Sequence, residues 1–208
     1  MVLASHNTMS YLKPAKWYLA PFNFMAKCQS KTIQEQYEAG ARLFDLRLVI
    51  LADDRDFYLE PSFAHGLMDY KSPSVDEILS WLNSRDEKVY VRFLLERPNP
   101  EVHNEFRRLC ERYEQTYTNI GFWGHAYDKK TWTPIYTFKG SLPRPAIDKY
   151  ASCNQTGVTK WKGILSSKNH SGLLIDDLWP WLYAKLHNKK NREKYKDEDV
   201  FLLQDFIK

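Results

Sequence analysis

The feature that most constrains this chain is the alternation of short apolar runs with longer stretches of helical period. "MVLAS" (1–5), "ARLFDLRLVI" (41–50), "FYLEPSFAH" (57–65), "KVYVRFLLE" (88–96), "PIYTF" (134–138), "GLLI" (172–175) and "VFLLQDF" (200–206) read as strands. Between them, "TIQEQYEAG" (32–40) carries Thr32 and Glu35 as a capping box and Gly40 as a stop. "SPSVDEILSWLNSR" (72–85) starts on a Ser cap, with Val75, Ile78, Leu79 and Leu82 at helical spacing. "NPEVHNEFRRLCERYEQ" (99–115) opens on an Asn-Pro helix start and buries a stripe of Val102, Phe106, Leu109 and Tyr113. "TKWKGILSS" (159–167) and "WPWLYAKLHNKK" (179–190) read as later helices. Strand and helix in turn point to a parallel sheet with crossover helices. A length of 208 residues suits one domain, 1–208.

A net charge of +4 is too mild for a nucleic-acid stripe, and "NKKNREKYK" (188–196) reads as a solvated helix face. Cys28, Cys110 and Cys153 are odd in number and far apart, so neither a disulfide framework nor a metal spacing can be read from them; they read as filler thiols. The sequence shows no signal-peptide pattern and no run long enough for a membrane span. The aromatic fraction of 15% exceeds what a core needs and points to an exposed rim that touches sugar or lipid headgroups.

Asp45 and Arg47 interrupt an apolar strand two residues apart and therefore share a face. They make either a structural ion pair or an anion site in which the guanidinium fork takes a phosphate. His6 and His65 each end an apolar run, and two such histidines with the Asp/Arg pair can supply a base, an acid and a phosphate clamp. Asp205 follows the last run and can orient an imidazole. The remaining histidines, His103, His125, His170 and His187, read as structural groups.

Together, "ASHNTMSYL", "YEAGARLFDLRL", "AHG" and "VFLLQDFI", in this order over nearly the whole chain, resemble the X region of phosphatidylinositol-specific phospholipase C in its bacterial form. The resemblance implies an α/β fold, a distorted, incompletely closed TIM-like (β/α) barrel, with the site at the C-terminal ends of the strands. It implies His6 as the general base at the inositol 2-hydroxyl, Asp205 as its orienting carboxylate, and His65 as the general acid at the leaving oxygen. Asp45 would assist that acid, and Arg47 would meet the phosphate. Asn7, Glu96, Lys139 and Asp148 are the implied substrate contacts. Calcium-dependent relatives carry a carboxylate where Arg47 stands, so no metal and no other cofactor are expected.

This chain departs from the family at Leu94, where bacterial members place a lysine. Arg92 and Arg97 are candidates to compensate. Trp17, Tyr18, Phe22 and Phe24 occupy the region of an apolar rim helix, and read either as membrane contacts or as rings packed in a plug over the barrel. Residues 176–183 are a second rim candidate or, alternatively, an ordinary core helix. The expected partner is a phospholipid or other phosphodiester at a membrane surface, without nucleic acid and without an obligate protein partner. Family resemblance favours a secreted, extracellular protein. A different glycolipid or polymer phosphodiester, or a headgroup-binding barrel without turnover, are the alternatives.

Overall fold

The computed structural model describes residues 1–50, 60–70, 72–97, 100–127, 134–138, 164–166, 180–197 and 201–208. The strands are β1 (Val2–Ser5), β2 (Ala41–Val49), β3 (Ser62–His65), β4 (Met68–Tyr70), β5 (Val89–Leu95), β6 (Ile120–Tyr127), β7 (Pro134–Phe138), β8 (Ile164–Ser166) and β9 (Phe201–Gln204). The α-helices are α1 (Asn23–Ala26), α2 (Ile33–Glu38), α3 (Val75–Asn83), α4 (Pro100–Thr116) and α5 (Pro180–Tyr195). Short 3-10 turns cover Thr8–Tyr11 and Trp17–Phe22. Among the described residues the strands form one mixed sheet in the order β7-β6-β5-β2-β1-β9-β8, with β3 and β4 added beyond β2, and the sheet is not closed. No described helix is long and apolar enough to cross a membrane.

The chain divides into two compact units, and the division falls inside β2 after Asp45. The first holds residues 1–11, 21–45 and 143–208. In it β1 is central, parallel to β2 on one side (Leu3 opposite Ala41, Ser5 opposite Phe44) and to β9 on the other (Val2 opposite Phe201, Ser5 opposite Gln204). Strands buried on both faces need near-continuous apolar runs, which is why the sequence at 2–5 and 201–204 lacks alternation. The expected capping box at α2 is present: Glu35 N–H donates to Thr32 Oγ1 and Thr32 N–H to Glu35. Gly40, at φ +95°, supplies the left-handed turn that sends the chain directly into β2. Residues 164–166 correct the helix expected over "TKWKGILSS": they form β8, parallel to β9. Only three residues of this nine-residue window are strand, too short a run to show a period of two in the sequence.

The second unit holds residues 12–20 and 46–142. β5 and β6 pair in parallel from Val89 opposite Ile120 to Leu95 opposite Ala126. α3 carries its own capping box at Ser74 and Glu77, and buries Val75, Ile78, Leu79 and Leu82 as the spacing predicts. The predicted stripe of α4 is also buried. The tyrosines at its end donate to one carboxylate on α3: Tyr113 Oη to Asp76 Oδ2 at 3.1 Å and Tyr117 Oη to Asp76 Oδ1 at 2.8 Å.

The sheet is not purely parallel, contrary to the strand–helix reading. β2 and β3, β3 and β4, and β6 and β7 are antiparallel. The physical reason at β3 is local: Gly66 at φ +59° and Leu67 reverse the chain at once, so no crossover helix intervenes. Of the strand expected over 57–65, residues 62–65 form β3 and 60–61 do not belong to it, while 57–59 and the strand expected over 172–175 lie outside the described residues.

Candidate active site

In the first unit the end of β1 meets the end of β9. His6 N–H donates to the carbonyl of Gln204 at 3.0 Å, which holds the backbone of one strand end against the other. The side chains that follow then meet: His6 Nδ1 lies 2.6 Å from Asp205 Oδ1. On the other side of the ring, His6 Nε2 is 4.0 Å from Asp45 Oδ2, and the same oxygen accepts the Asn7 N–H at 3.1 Å. His6, Asp45 and Asp205 are 7%, 0% and 3% exposed, so the two carboxylates act on the imidazole with little screening by water. Such a ring can take up a proton and remain stabilised on both sides while it holds it.

Two buried glutamines keep this corner in place. Gln29 Nε2 donates to both the His6 and the Gln204 carbonyls at 2.9 Å, while its Oε1 accepts the Ile207 N–H at 3.1 Å. Gln36 Nε2 donates to the Thr8 carbonyl at 3.1 Å and its Oε1 accepts from Ser5 Oγ. Ser10 Oγ accepts the N–H groups of Cys28 and Gln29, at 2.9 and 3.0 Å. From α5, Asn188 Nδ2 donates to the Asp205 carbonyl at 2.6 Å and Arg192 Nε to Gln204 Oε1 at 2.7 Å. Sequence reasoning found none of these. Cys28, read as a filler thiol, in fact accepts from Asn7 Nδ2 at 3.2 Å and stands beside His6 and Asp205.

In the second unit Arg47 Nη1 donates to Glu96 Oε1 at 2.9 Å, and Glu96 N–H is fixed on the Leu48 carbonyl at 2.8 Å. Both side chains are largely covered, with 15% and 13% of their surface exposed, which strengthens the pairing by limiting its screening by water. His65 is the last residue of β3 and is half-buried. Leu94 is buried within β5. Of the residues that were to replace its missing lysine, Arg92 is buried with its guanidinium 5.6 Å from the Trp123 ring centre, and Arg97 is ion-paired with Asp69. Lys139 and Asp148, and the 176–179 part of the second rim candidate, lie outside the described residues.

Four strand ends share one backbone device. Asn7, Gly66, Arg97 and Phe206 all have positive φ (45°, 59°, 51° and 48°), and each immediately follows a candidate site residue: His6, His65, Glu96 and Asp205. A left-handed residue turns the backbone away at once, so the preceding side chain sits at the strand's last residue, as His65 does, or one residue past it, as His6, Glu96 and Asp205 do.

The aromatic segment is exposed. Trp17 is 84% exposed, and Tyr18, Phe22 and Phe24 are each more than half exposed, so these rings do not form a packed plug.

No family model and no curated protein sequence matches the chain. Solved structures do. The phosphatidylinositol-specific phospholipase C of Listeria monocytogenes superposes with a TM-score of 0.63 at 15% identity, covering 100% of this chain and 88% of that one. A Staphylococcus aureus phosphatidylinositol-specific phospholipase C variant gives 0.63 at 14%, covering 99% and 84%. Another structure of the S. aureus protein, concerned with modulation of its membrane binding, gives 0.58 at 15%, covering 99% and 85%. These likenesses show the fold: the chain has the α/β fold of the bacterial phosphatidylinositol-specific phospholipases C, with an open mixed sheet as expected for a distorted, incompletely closed barrel.

Proposed function

We propose that this chain is a metal-independent phosphodiester lyase acting on phosphatidylinositol at a membrane surface. The observation that carries the reading is the His6–Asp205 contact of 2.6 Å at adjacent strand ends, with Asp45 behind the opposite ring nitrogen. In this reading His6 Nε2 takes the proton of the inositol 2-hydroxyl as that oxygen bonds to phosphorus. Asp205 holds the Nδ1 side and, with Asp45, stabilises the imidazolium that results. The bond from phosphorus to the diacylglycerol oxygen breaks, and His65 returns a proton to that oxygen. Arg47, oriented by Glu96, offsets charge on the non-bridging oxygens, and Asn7, Lys139 and Asp148 contact the headgroup. The products are a cyclic inositol phosphate and diacylglycerol.

Exposed Trp17, Tyr18, Phe22 and Phe24 support contact with the bilayer, since rings of this kind favour the headgroup boundary over water. Solved relatives in fold that are named as phospholipases support a lipid substrate.

Buried Leu94 favours a second reading, in which the same chemistry serves another hydroxyl-bearing phosphodiester, because an apolar side chain there offers no donor to inositol. One experiment addresses both. Release of water-soluble phosphate from phosphatidylinositol vesicles in excess chelator is followed by phosphorus NMR for the wild type and His6→Ala. A cyclic phosphate formed without metal and lost in the variant is the expected result. No release from phosphatidylinositol, with release from another phosphodiester, overturns the substrate and keeps the chemistry. Binding of vesicles without any release overturns catalysis altogether.

A further inference from the structure

The ligand atoms of His6, Cys28 and Asp205 all lie within 4.8 Å of one another, and all three residues are buried. We propose that these three side chains form a binding site for a thiophilic divalent cation of the zinc class, whose occupation switches the imidazole off as a base. The site is distinct from a calcium site, because a nitrogen, a sulfur and a carboxylate oxygen suit zinc or cobalt and offer a hard cation little.

The distances decide in favour of a nearly preformed site. Tetrahedral zinc with sulfur at about 2.3 Å and nitrogen or oxygen at about 2.0–2.1 Å sets its ligands roughly 3.3–3.6 Å apart. The ligand atoms here lie within 4.8 Å of one another, at most roughly 1.2–1.5 Å beyond that spacing, while the His6 Nδ1–Asp205 Oδ1 pair at 2.6 Å has to open by roughly 0.7–1 Å, both within reach of side-chain rotation. One side of the triangle is already closed, with His6 Nδ1 2.6 Å from Asp205 Oδ1, and the third corner is held from outside, where Asn7 Nδ2 donates to the Cys28 sulfur from 3.2 Å. Cys28 is not part of a disulfide, and its backbone is anchored by Ser10 Oγ at one end and by the Phe206 N–H at the other. A buried cysteine alone is ordinary. A buried cysteine whose sulfur stands against an imidazole and a carboxylate is a ligand set lacking only solvent as its fourth member.

The chemistry of occupation is simple to balance. The thiol gives its proton to solvent and the sulfur bonds the ion as thiolate. If the ion takes His6 Nδ1, the ring proton moves to Nε2, which can then no longer accept one. If it takes Nε2, that nitrogen's lone pair is used directly. Either way the imidazole is lost as a base without any change of oxidation state.

Cation binding does not depend on the proposed activity; only its effect on turnover rests on that reading. The test is titration of the full-length protein with cobalt(II) alone, reading the near-ultraviolet sulfur-to-cobalt charge-transfer band, followed by displacement with zinc. The expected result is a band at about one ion per chain, lost in Cys28→Ser and kept when Cys110 and Cys153 are both changed to serine, with affinity about 100-fold lower in the Cys28 variant. No band in the wild type, or one that survives Cys28→Ser, overturns the site. In parallel, zinc at micromolar excess is expected to stop phosphodiester release from phosphatidylinositol vesicles, and chelator to restore it. Full turnover with the site loaded overturns the switch. A charge-transfer band in a chain that cleaves no phosphodiester overturns the proposed function and leaves the cation site standing.

Discussion

Nδ1 of His6 is 2.6 Å from Oδ1 of Asp205, although the two residues are separated by nearly the whole chain. The contact exists because β1 and β9 are neighbours in register, Ser5 opposite Gln204, so that the residue after each strand faces the residue after the other. If the carboxylate fixes the tautomer of a base, Asp205→Asn lowers kcat by about 10²–10⁴-fold and leaves KM little changed. Steady-state kinetics on vesicles above saturation measure the split.

Gln29 joins three strand-end backbone groups, the His6 and Gln204 carbonyls and the Ile207 N–H. Gln29→Ala removes all three bonds while the Gln204 carbonyl keeps the His6 N–H, and is expected to cost roughly 2–4 kcal/mol at about 1–3 kcal/mol for each of the other two groups, partly relieved by water. Urea unfolding reads the loss. Because the effect on His6 is positional, turnover of the folded variant is expected to fall in kcat with the pH profile unshifted.

Arg47 is held on Glu96 through one guanidinium nitrogen. Arg47→Lys keeps the charge and loses the planar fork, so a phosphate clamp predicts about a 10²-fold loss of kcat/KM, whereas an ion pair serving only the fold predicts almost none. Kinetics alongside a thermal melt separate the two.

Trp17 is so exposed that Trp17→Ala is expected to change stability by less than about 0.5 kcal/mol. The same substitution is expected to weaken binding to phosphatidylinositol vesicles, measured by sedimentation, while sparing cleavage of a short-chain soluble substrate. Equal loss on both substrates would place the ring in the pocket instead.

Burial raises the Tyr113 phenol well above its ordinary value of 10.0, and Asp76 beside it adds to the shift. The unfolded chain ionises this group first, so its contribution to stability is complete below pH 10 and declines as pH rises beyond that towards the folded value. Tyr113→Phe is expected to flatten the alkaline fall of the urea midpoint between pH 10 and 11, at the cost of the hydrogen bond to Asp76.

What the sequence disclosed was local. Capping boxes at Thr32/Glu35 and Ser74/Glu77, the stripes of α3 and α4, and strands β1, β2, β5 and β9 are all written in neighbouring residues. β6 escaped because "IGFWGHAY" breaks its apolar run with two glycines and a histidine, and its strand character comes from pairing with β5 along its length. Gln29, Gln36 and Cys28 escaped for a related reason: a glutamine or cysteine carries no period, and their role arises only when the chain brings distant strand ends to them. The histidines and acids at strand ends were visible because a charged residue closing an apolar run is conspicuous in one dimension.

The left-handed residues at Asn7, Gly66, Arg97 and Phe206 bear on how relatives of this chain can be found. At about 15% identity to its fold neighbours, pairwise alignment has little left to read. In this chain the four strand ends carry a stereochemical pattern beside the chemical one: a polar residue closing an apolar run, then a residue at positive φ. Glycine and asparagine fit those second positions freely, while Arg97 and Phe206 adopt them against steric preference. A search profile that scores backbone tolerance at these places, and chemistry at the residue before each, would gather sequences that residue matching leaves scattered.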